Sequence, residues 1–313
     1  MRIIFMGTPE FAVASLDILI QNNYNVVAVV TVPDKPAGRG QQIQQSAVKK
    51  YAIEKGLTVL QPEKLKDEQF IKELTALKAD LQIVVAFRML PEIVWNMPPL
   101  GTYNLHGSLL PKYRGAAPIN WAIINGETES GVTTFKLKHE IDTGNMLFQQ
   151  STPIHPTTTA GELHDSLMHI GAELILKTVK AIESNNYVLK PQNDSEIIHA
   201  PKLYKETCKI NWDNAAEKIN NLIRGLSPYP TAFTEYIDKK NQVIGVKIYK
   251  AEVEITEHKL PVGTIVSDLK KSLKVACSNG FISIIELQMA GKKRMLVDEF
   301  LRGFKIDDHL KFI

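Results

Sequence analysis

MRIIFMGTPEFAVASLDILIQNNYNVVAVVT, residues 1–31, is the stretch that decides the fold. Ile3 to Met6 are an unbroken apolar run that stops at Gly7, the pattern of a buried strand. Residues 10–21 carry apolar side chains at helical spacing, with Pro9 in the first helical turn, where a missing N–H costs nothing. Residues 25–31 are a second β-branched run. Strand, helix and strand within about 30 residues make a βαβ unit. The single Gly7 falls short of G-x-G-x-x-G, so this turn is read as a strand-to-helix connection and not as a pyrophosphate cradle.

The alternation continues outward. Helices are expected near 47–55 and at 68–77, a short strand at 58–60, and a buried strand at 81–86. A strand follows over 100–106, then a helix at 117–124, a strand at 131–138 and a long helix at 162–182. This predicts a Rossmann-like α/β domain, a mostly parallel sheet with helices on both faces, over residues 1–189. Periodicity fades where Pro191, Asn193, Asp194, Ser195 and Pro201 gather, and 190–206 is read as a linker. Beyond it, one helix (215–224) and short strands at 232–237, 243–251, 263–266, 274–276 and 282–288 predict a smaller β-barrel, OB-like, over 207–313.

Composition sets the class. At 313 residues, with 44% hydrophobic and 23% charged residues, the chain reads as an ordinary soluble protein of two domains. The apolar start is too short for a signal peptide and no membrane span is visible, so the cytosol is expected, with no membrane partner. Cys208 and Cys277 lack C-x-x-C spacing and are read as reduced structural thiols. The net charge is +3, but 207–313 holds 17 Lys and Arg against 13 Asp and Glu, a weak pointer to nucleic acid at the C-terminal domain.

The chemistry concentrates at Asn104-Leu105-His106-Gly107-Ser108, followed by the turn Leu109-Leu110-Pro111 and, further on, Asp142-Thr143-Gly144. A strand's period of two puts Asn104 and His106 on one face. The amide can donate to a developing oxyanion while the imidazole moves a proton, and the Asp142 carboxylate could orient or charge that imidazole. No serine or cysteine is needed if an incoming amine attacks. A satisfied core pair is the competing reading of Asn104 and His106. The turn after His106 favours the strand-end site, and Asp142 reads as part of an exposed turn. His106, His139, Glu140 and Asp142 have no recognised ligand spacing, so no metal is expected. The stretch 33–46, with Lys35, Gly38, Arg39, Gly40 and four glutamines, is too long for a plain βα connection. Its composition suits a phosphate backbone or exposed bases, and a surface loop without function is the other reading.

Asn104 to Ser108 with Leu109–Pro111 and Arg114-Gly115-Ala116-Ala117-Pro118, the Asp142-Thr143-Gly144 triplet, the opening Phe5 to Phe11 and the loop Pro33 to Gly40 resemble the formyltransferases that use 10-formyltetrahydrofolate. The resemblance extends through Gly126-Glu127 and Gly131-Val132-Thr133 to Val297 to Leu301, nearly the whole length. It implies Asn104, His106 and Asp142 as the catalytic trio. It also implies Ser108, Leu109, Leu110 and Pro111, with Ala86, as folate-binding, and Lys35, Arg39 and Gly40 as contacts to the tRNA acceptor end. The implied reaction moves the formyl group of 10-formyltetrahydrofolate to the α-amine of methionyl initiator tRNA, on a monomer without metal. Formylation of a nucleotide-sugar amine and a catalytically silent tRNA-binding role are the alternatives. Phe87-Arg88-Met89 replaces the small residues usual before Leu90-Pro91, and Arg88 faces either the folate carboxylates or solvent.

Overall fold

Ile3, Ile4, Phe5 and Met6 are fully buried in strand β1 (Arg2–Gly7), because a central strand covered on both faces has no polar side to offer. The computed structural model describes residues 1–37, 42–304 and 311–313. In chain order β1 is followed by α1 (Glu10–Gln21), β2 (Asn25–Val30), β3 (Lys35–Ala37), β4 (Gln42–Gln44), α2 (Ala47–Glu54), β5 (Val59–Leu60), α3 (Glu68–Ala76), β6 (Leu81–Val85) and α4 (Glu92–Trp95). Then come β7 (Thr102–His106), β8 (Arg114–Gly115), α5 (Pro118–Ile124), β9 (Glu129–Lys136), β10 (Met146–Pro153), α6 (Ala160–Glu183) and β11 (His199–Ala200).

The main sheet has seven strands in the order β10-β9-β7-β6-β1-β2-β5. β1 pairs in parallel with β2 and β6, β2 with β5 and β6 with β7, while β9 runs antiparallel to β7. The chain winds outward from β1 through β2 to β5 and then restarts on the other side at β6. That reversal is the place where open α/β sheets bind ligands, at the carboxyl ends of their strands. Helix starts follow local chemistry: Ser46 Oγ accepts from Lys49 N–H at 3.0 Å to begin α2, and Asp67 does the same for Phe70 N–H at 3.1 Å to begin α3. The long stretch after β2 contains a small antiparallel ribbon, β3 with β4, where Lys35 lies opposite Gln44 and Pro36 opposite Ile43. Asp34 stands at its base, bonded to Lys49 Nζ at 2.6 Å and to Gln61 Nε2 at 2.8 Å. Its carboxyl is held below the ordinary range mainly by the Lys49 bond.

The chain gathers into two compact units. One comprises Met1–Pro118, Ser130–Thr152 and His164–Ala200, and the other Ile119–Glu129, Pro153–Leu163 and Pro201–Ile313. In the second unit, α7 (Ala216–Leu226) precedes β12 (Ala232–Ile237), β13 (Val243–Ile255), β14 (Ile265–Ser267), β15 (Leu273–Cys277), β16 (Gly280–Met289), β17 (Met295–Leu296) and α8 (Val297–Gly303). These strands pair antiparallel in the path β12-β13-β16-β15-β14, with β17 on β16. β13 carries register shifts between Ile248 and Ala251, where the sheet curls into a half-barrel, and the C-terminal residues bridge the ends of the path: Ile313 exchanges backbone hydrogen bonds with Glu235 of β12, and Phe312 N–H donates to the Gly263 carbonyl just before β14 at 2.9 Å. Its core includes Trp212, Ile219, Ile223, Ile248, Val275, Ile282 and Leu287, and the Trp212 indole N–H is satisfied by Thr234 Oγ1 at 3.0 Å. Cys208 and Cys277 are unpaired and buried, and burial raises both thiols above their ordinary pKa. Among the described residues no helix is long and apolar enough to cross a membrane.

Candidate active site

β7 ends at His106, and its neighbours fix what surrounds it. Val84 and Val85 of β6 stand beside Asn104 and Leu105, while Phe135 and Thr133 of β9 stand opposite Asn104 and His106. Asn104 is half-buried, and among the described residues no hydrogen bond to its side chain is found. Its amide is therefore free to meet a ligand. His106 is buried, with 6% of its surface exposed.

The imidazole is held at one nitrogen and faces a carboxylate at the other. Nε2 lies 2.8 Å from the carbonyl of Tyr113. A carbonyl only accepts, so Nε2 carries the proton in the neutral ring and Nδ1 presents its lone pair. Nδ1 faces Asp142, with Oδ2 at 3.9 Å. That is longer than a hydrogen bond, so the two form an ion pair when Nδ1 is protonated, and a shift of about 1 Å would bond them directly. The same Oδ2 accepts the N–H of Gly115 at 3.0 Å. In place of the exposed turn expected from sequence, the Asp142 side chain is only 13% exposed and its backbone sits at φ +55°. The following Gly144 is required by space: a Cβ there would lie 1.8 Å from the carbonyl oxygen of Lys136.

The turn after His106 is built from the inside. Ser108 Oγ donates to the carbonyl of Lys112 at 2.6 Å. Thr133 Oγ1 donates to the Ser108 carbonyl at 2.7 Å and accepts Leu110 N–H at 3.1 Å, and Gln149 Nε2 donates to the Leu110 carbonyl at 2.8 Å. Ser108, Leu110 and Pro111 are buried, and of the four residues only Leu109 is half-buried with its side chain available. Ala86 lies one residue beyond the Val85–Leu105 pair, as His106 does, and is exposed at φ +46°. Exposed Ala86 and half-buried Leu109 give apolar surface beside the polar trio, which fits a flat aromatic co-substrate whose reactive atom must reach Asn104 and His106. The half-buried Arg88 guanidinium donates to the carbonyls of Glu63, at 2.8 Å, and of Pro62.

The structure thus brings Asn104, His106 and Asp142 to one strand end, with Ala86 and residues 108–111 around them. Lys35 is exposed on β3. Arg39 and Gly40, the other expected tRNA contacts, lie outside the described residues. Sequence reading missed the Tyr113 carbonyl and Gln149, and noted Thr133 within the Gly131-Val132-Thr133 match without giving it a role. A backbone acceptor leaves no trace in residue type, and a lone glutamine carries no motif.

The family model "Formyl transferase" matches residues 1–179, and "Formyl transferase, C-terminal domain" matches 202–305. The methionyl-tRNA formyltransferase of Bacteroides thetaiotaomicron is 54% identical over 99% of this chain and 98% of its own length. That of Flavobacterium johnsoniae is 55% identical over 99% and 98%. Among solved structures, WlaRD, a sugar 3N-formyl transferase, superposes with a TM-score of 0.66 at 22% identity, covering 94% of this chain and 99% of its own. HypX from Aquifex aeolicus, in complex with tetrahydrofolic acid, gives 0.63 at 20% identity, covering 98% and 48%. At those identities the structures carry the fold alone, whereas relatives above 50% identity over the full length carry the family. The chain belongs to the methionyl-tRNA formyltransferase family.

Proposed function

We infer that this chain moves the formyl group of 10-formyltetrahydrofolate to the α-amine of methionine esterified to initiator tRNA, in the cytosol, as a monomer. The observation that carries the reading is the meeting of Asn104, His106 and Asp142 at the end of β7 in a chain more than half identical to such enzymes. Folate, when bound, supplies a formyl carbon activated by attachment to nitrogen. Ala86 and Leu109, with the backbone of 108–111, would line its ring.

Asn104 and His106 act where charge develops. As the amine adds to the formyl carbon, a C–N bond forms and the carbonyl oxygen becomes an oxyanion, to which the Asn104 amide donates. The former amine nitrogen, now cationic, must lose a proton, and the leaving nitrogen must gain one before its bond to carbon breaks. His106 carries that proton through Nδ1, and Asp142 stabilises the imidazolium in between. The Tyr113 carbonyl keeps the ring from rotating during the transfer.

For tRNA, we assign the β3–β4 ribbon with Lys35, continued by Arg39 and Gly40, to the acceptor end, and residues 207–313 to the body of the tRNA. The basic balance of that segment supports this. A competition decides between amines. With 10-formyltetrahydrofolate, charged initiator tRNA and a nucleotide-linked amino sugar in one mixture, formyl is expected on methionine alone, and formyl on the sugar alone would overturn the assignment.

A further inference from the structure

We propose that Gln192 is a positioning residue for the reaction, acting through Asp142, an inference that rests on the role given to Asp142 above. Gln192 comes from a stretch with no sequence motif, yet its amide is used at every position. Nε2 donates to the carbonyls of Asp142 at 2.7 Å and Gly144 at 2.9 Å, and Oε1 accepts from Nε and Nη2 of Arg114 at 2.9 and 2.7 Å. Both hydrogens and both lone pairs are thereby spent. The amide can point only one way, because reversing it would set N–H against guanidinium and oxygen against two carbonyls.

The clamp has its own anchor. Arg114 is 8% exposed and its Nη2 also donates to Asp194 at 2.9 Å. β8, which carries Arg114, pairs with β11, and the N–H groups of Ala116 and Ala117 both reach the Ala200 carbonyl, at 2.8 and 3.2 Å. Residues 190–200 therefore form a wall behind the 142–144 loop, with Met146 and Lys190 exchanging backbone hydrogen bonds at its edge.

Asp142 needs such support. The left-handed backbone at φ +55° is one that aspartate tolerates but that its neighbours must hold in place if the carboxylate is to stay aimed at His106. Here Gly115 holds the carboxylate and Gln192 holds the backbone. With Oδ2 at 3.9 Å from His106 Nδ1, a drift of about 1 Å separates a direct bond from a distant charge, and misplacement on that scale costs about 100-fold in rate.

A double-mutant cycle tests this in the full-length enzyme, by steady-state formylation of methionyl-tRNA. Gln192→Ala is expected to lower kcat by about 10- to 100-fold with KM for both substrates nearly unchanged. In an Asp142→Ala background the same change should alter kcat by less than about 2-fold, since a residue acting through Asp142 has nothing left to position. Gln192→Glu keeps the size and still accepts from Arg114 but cannot donate to the two carbonyls. It sets an oxygen against those carbonyls, so kcat should fall at least as far as in the alanine variant, and circular dichroism at the assay temperature shows that the protein assayed is folded, which separates positioning from folding. Wild-type kcat in the folded Gln192→Glu enzyme, or losses that multiply in the double variant, would overturn the proposal. A wild-type kcat in Asp142→Ala would instead remove the role of Asp142 and the proposal with it, and the single variant reports that separately.

Discussion

Replacing Asp142 by asparagine removes a charge and little else, so its cost can be worked from the geometry. The carboxylate lies 3.9 Å from His106 Nδ1, and the two side chains are 13% and 7% exposed. Two unit charges at that distance attract by about 4 kcal/mol at an effective dielectric of about 20, and by about 1 kcal/mol in bulk water. Such burial places the pair toward the first figure, and the imidazole carries the proton in transit between the two nitrogens, so the loss falls on the transition state. A loss of about 3 kcal/mol predicts a fall in kcat of roughly 100-fold. The substituted amide would still offer an oxygen to Gly115 N–H, which Asp142 now accepts at 3.0 Å. Asp142→Ala forfeits that bond as well, worth about 1 kcal/mol, and should be slower still. Single-turnover formylation at saturating 10-formyltetrahydrofolate reads the step directly, with folate affinity measured in parallel and expected to hold. Near-wild-type turnover in folded Asp142→Asn would rule out this electrostatic role.

Asn104→Ala should cost about 3 kcal/mol in transition-state stabilisation, read as a fall in kcat, whereas a change confined to KM would make it a binding residue. Gly144→Ala forces the 142–145 segment off β9, since its Cβ would meet the Lys136 carbonyl at 1.8 Å, and turnover should fall at least about 10-fold while the second unit's Trp212 environment stays unchanged by fluorescence. In the β14–β15 turn, the N–H groups of Ser272, Lys271 and Lys270 hold the Asp268 carboxyl down to about 2 from an ordinary 3.8. A depressed folded pKa means the carboxylate's contribution is full above the unfolded value and fades as pH falls from 3.8 to about 2. An NMR titration of those three amides should give a midpoint near 2, and a midpoint near 3.8 would contradict the bonding.

The sheet was legible because its strands are apolar runs closed by turn residues. Ile3 to Met6 and Leu81 to Val85 are buried on both faces, and α1 begins and ends where its spacing and Pro9 place it. β10 was not legible, since Met146 to Pro153 mixes Gln149, Gln150 and Ser151 into an edge strand with one face open. The β3–β4 ribbon hid for a similar reason: three-residue strands are set by pairing and not by side-chain pattern. In the site, the type and spacing of Asn104, His106 and Asp142 pointed to oxyanion and proton chemistry before any coordinates. What sequence could not supply was distance. Asp142 holds a left-handed backbone because Gly115 and Gln192 reach it from segments 27 and 50 residues away, and no local pattern encodes such contacts.

The mechanism stands or falls on His106, backed by Asp142, carrying the proton in formyl transfer to an amino acid on tRNA. Rapid-quench single-turnover reactions of wild type and His106→Ala, with charged initiator tRNA and 10-formyltetrahydrofolate, address this when the released methionine is weighed by mass spectrometry. The wild type is expected to give formylmethionine, and His106→Ala to form it about 100-fold more slowly or worse. Unmodified methionine from the wild type, or formylation at the wild-type rate by a folded His106→Ala enzyme, would contradict it.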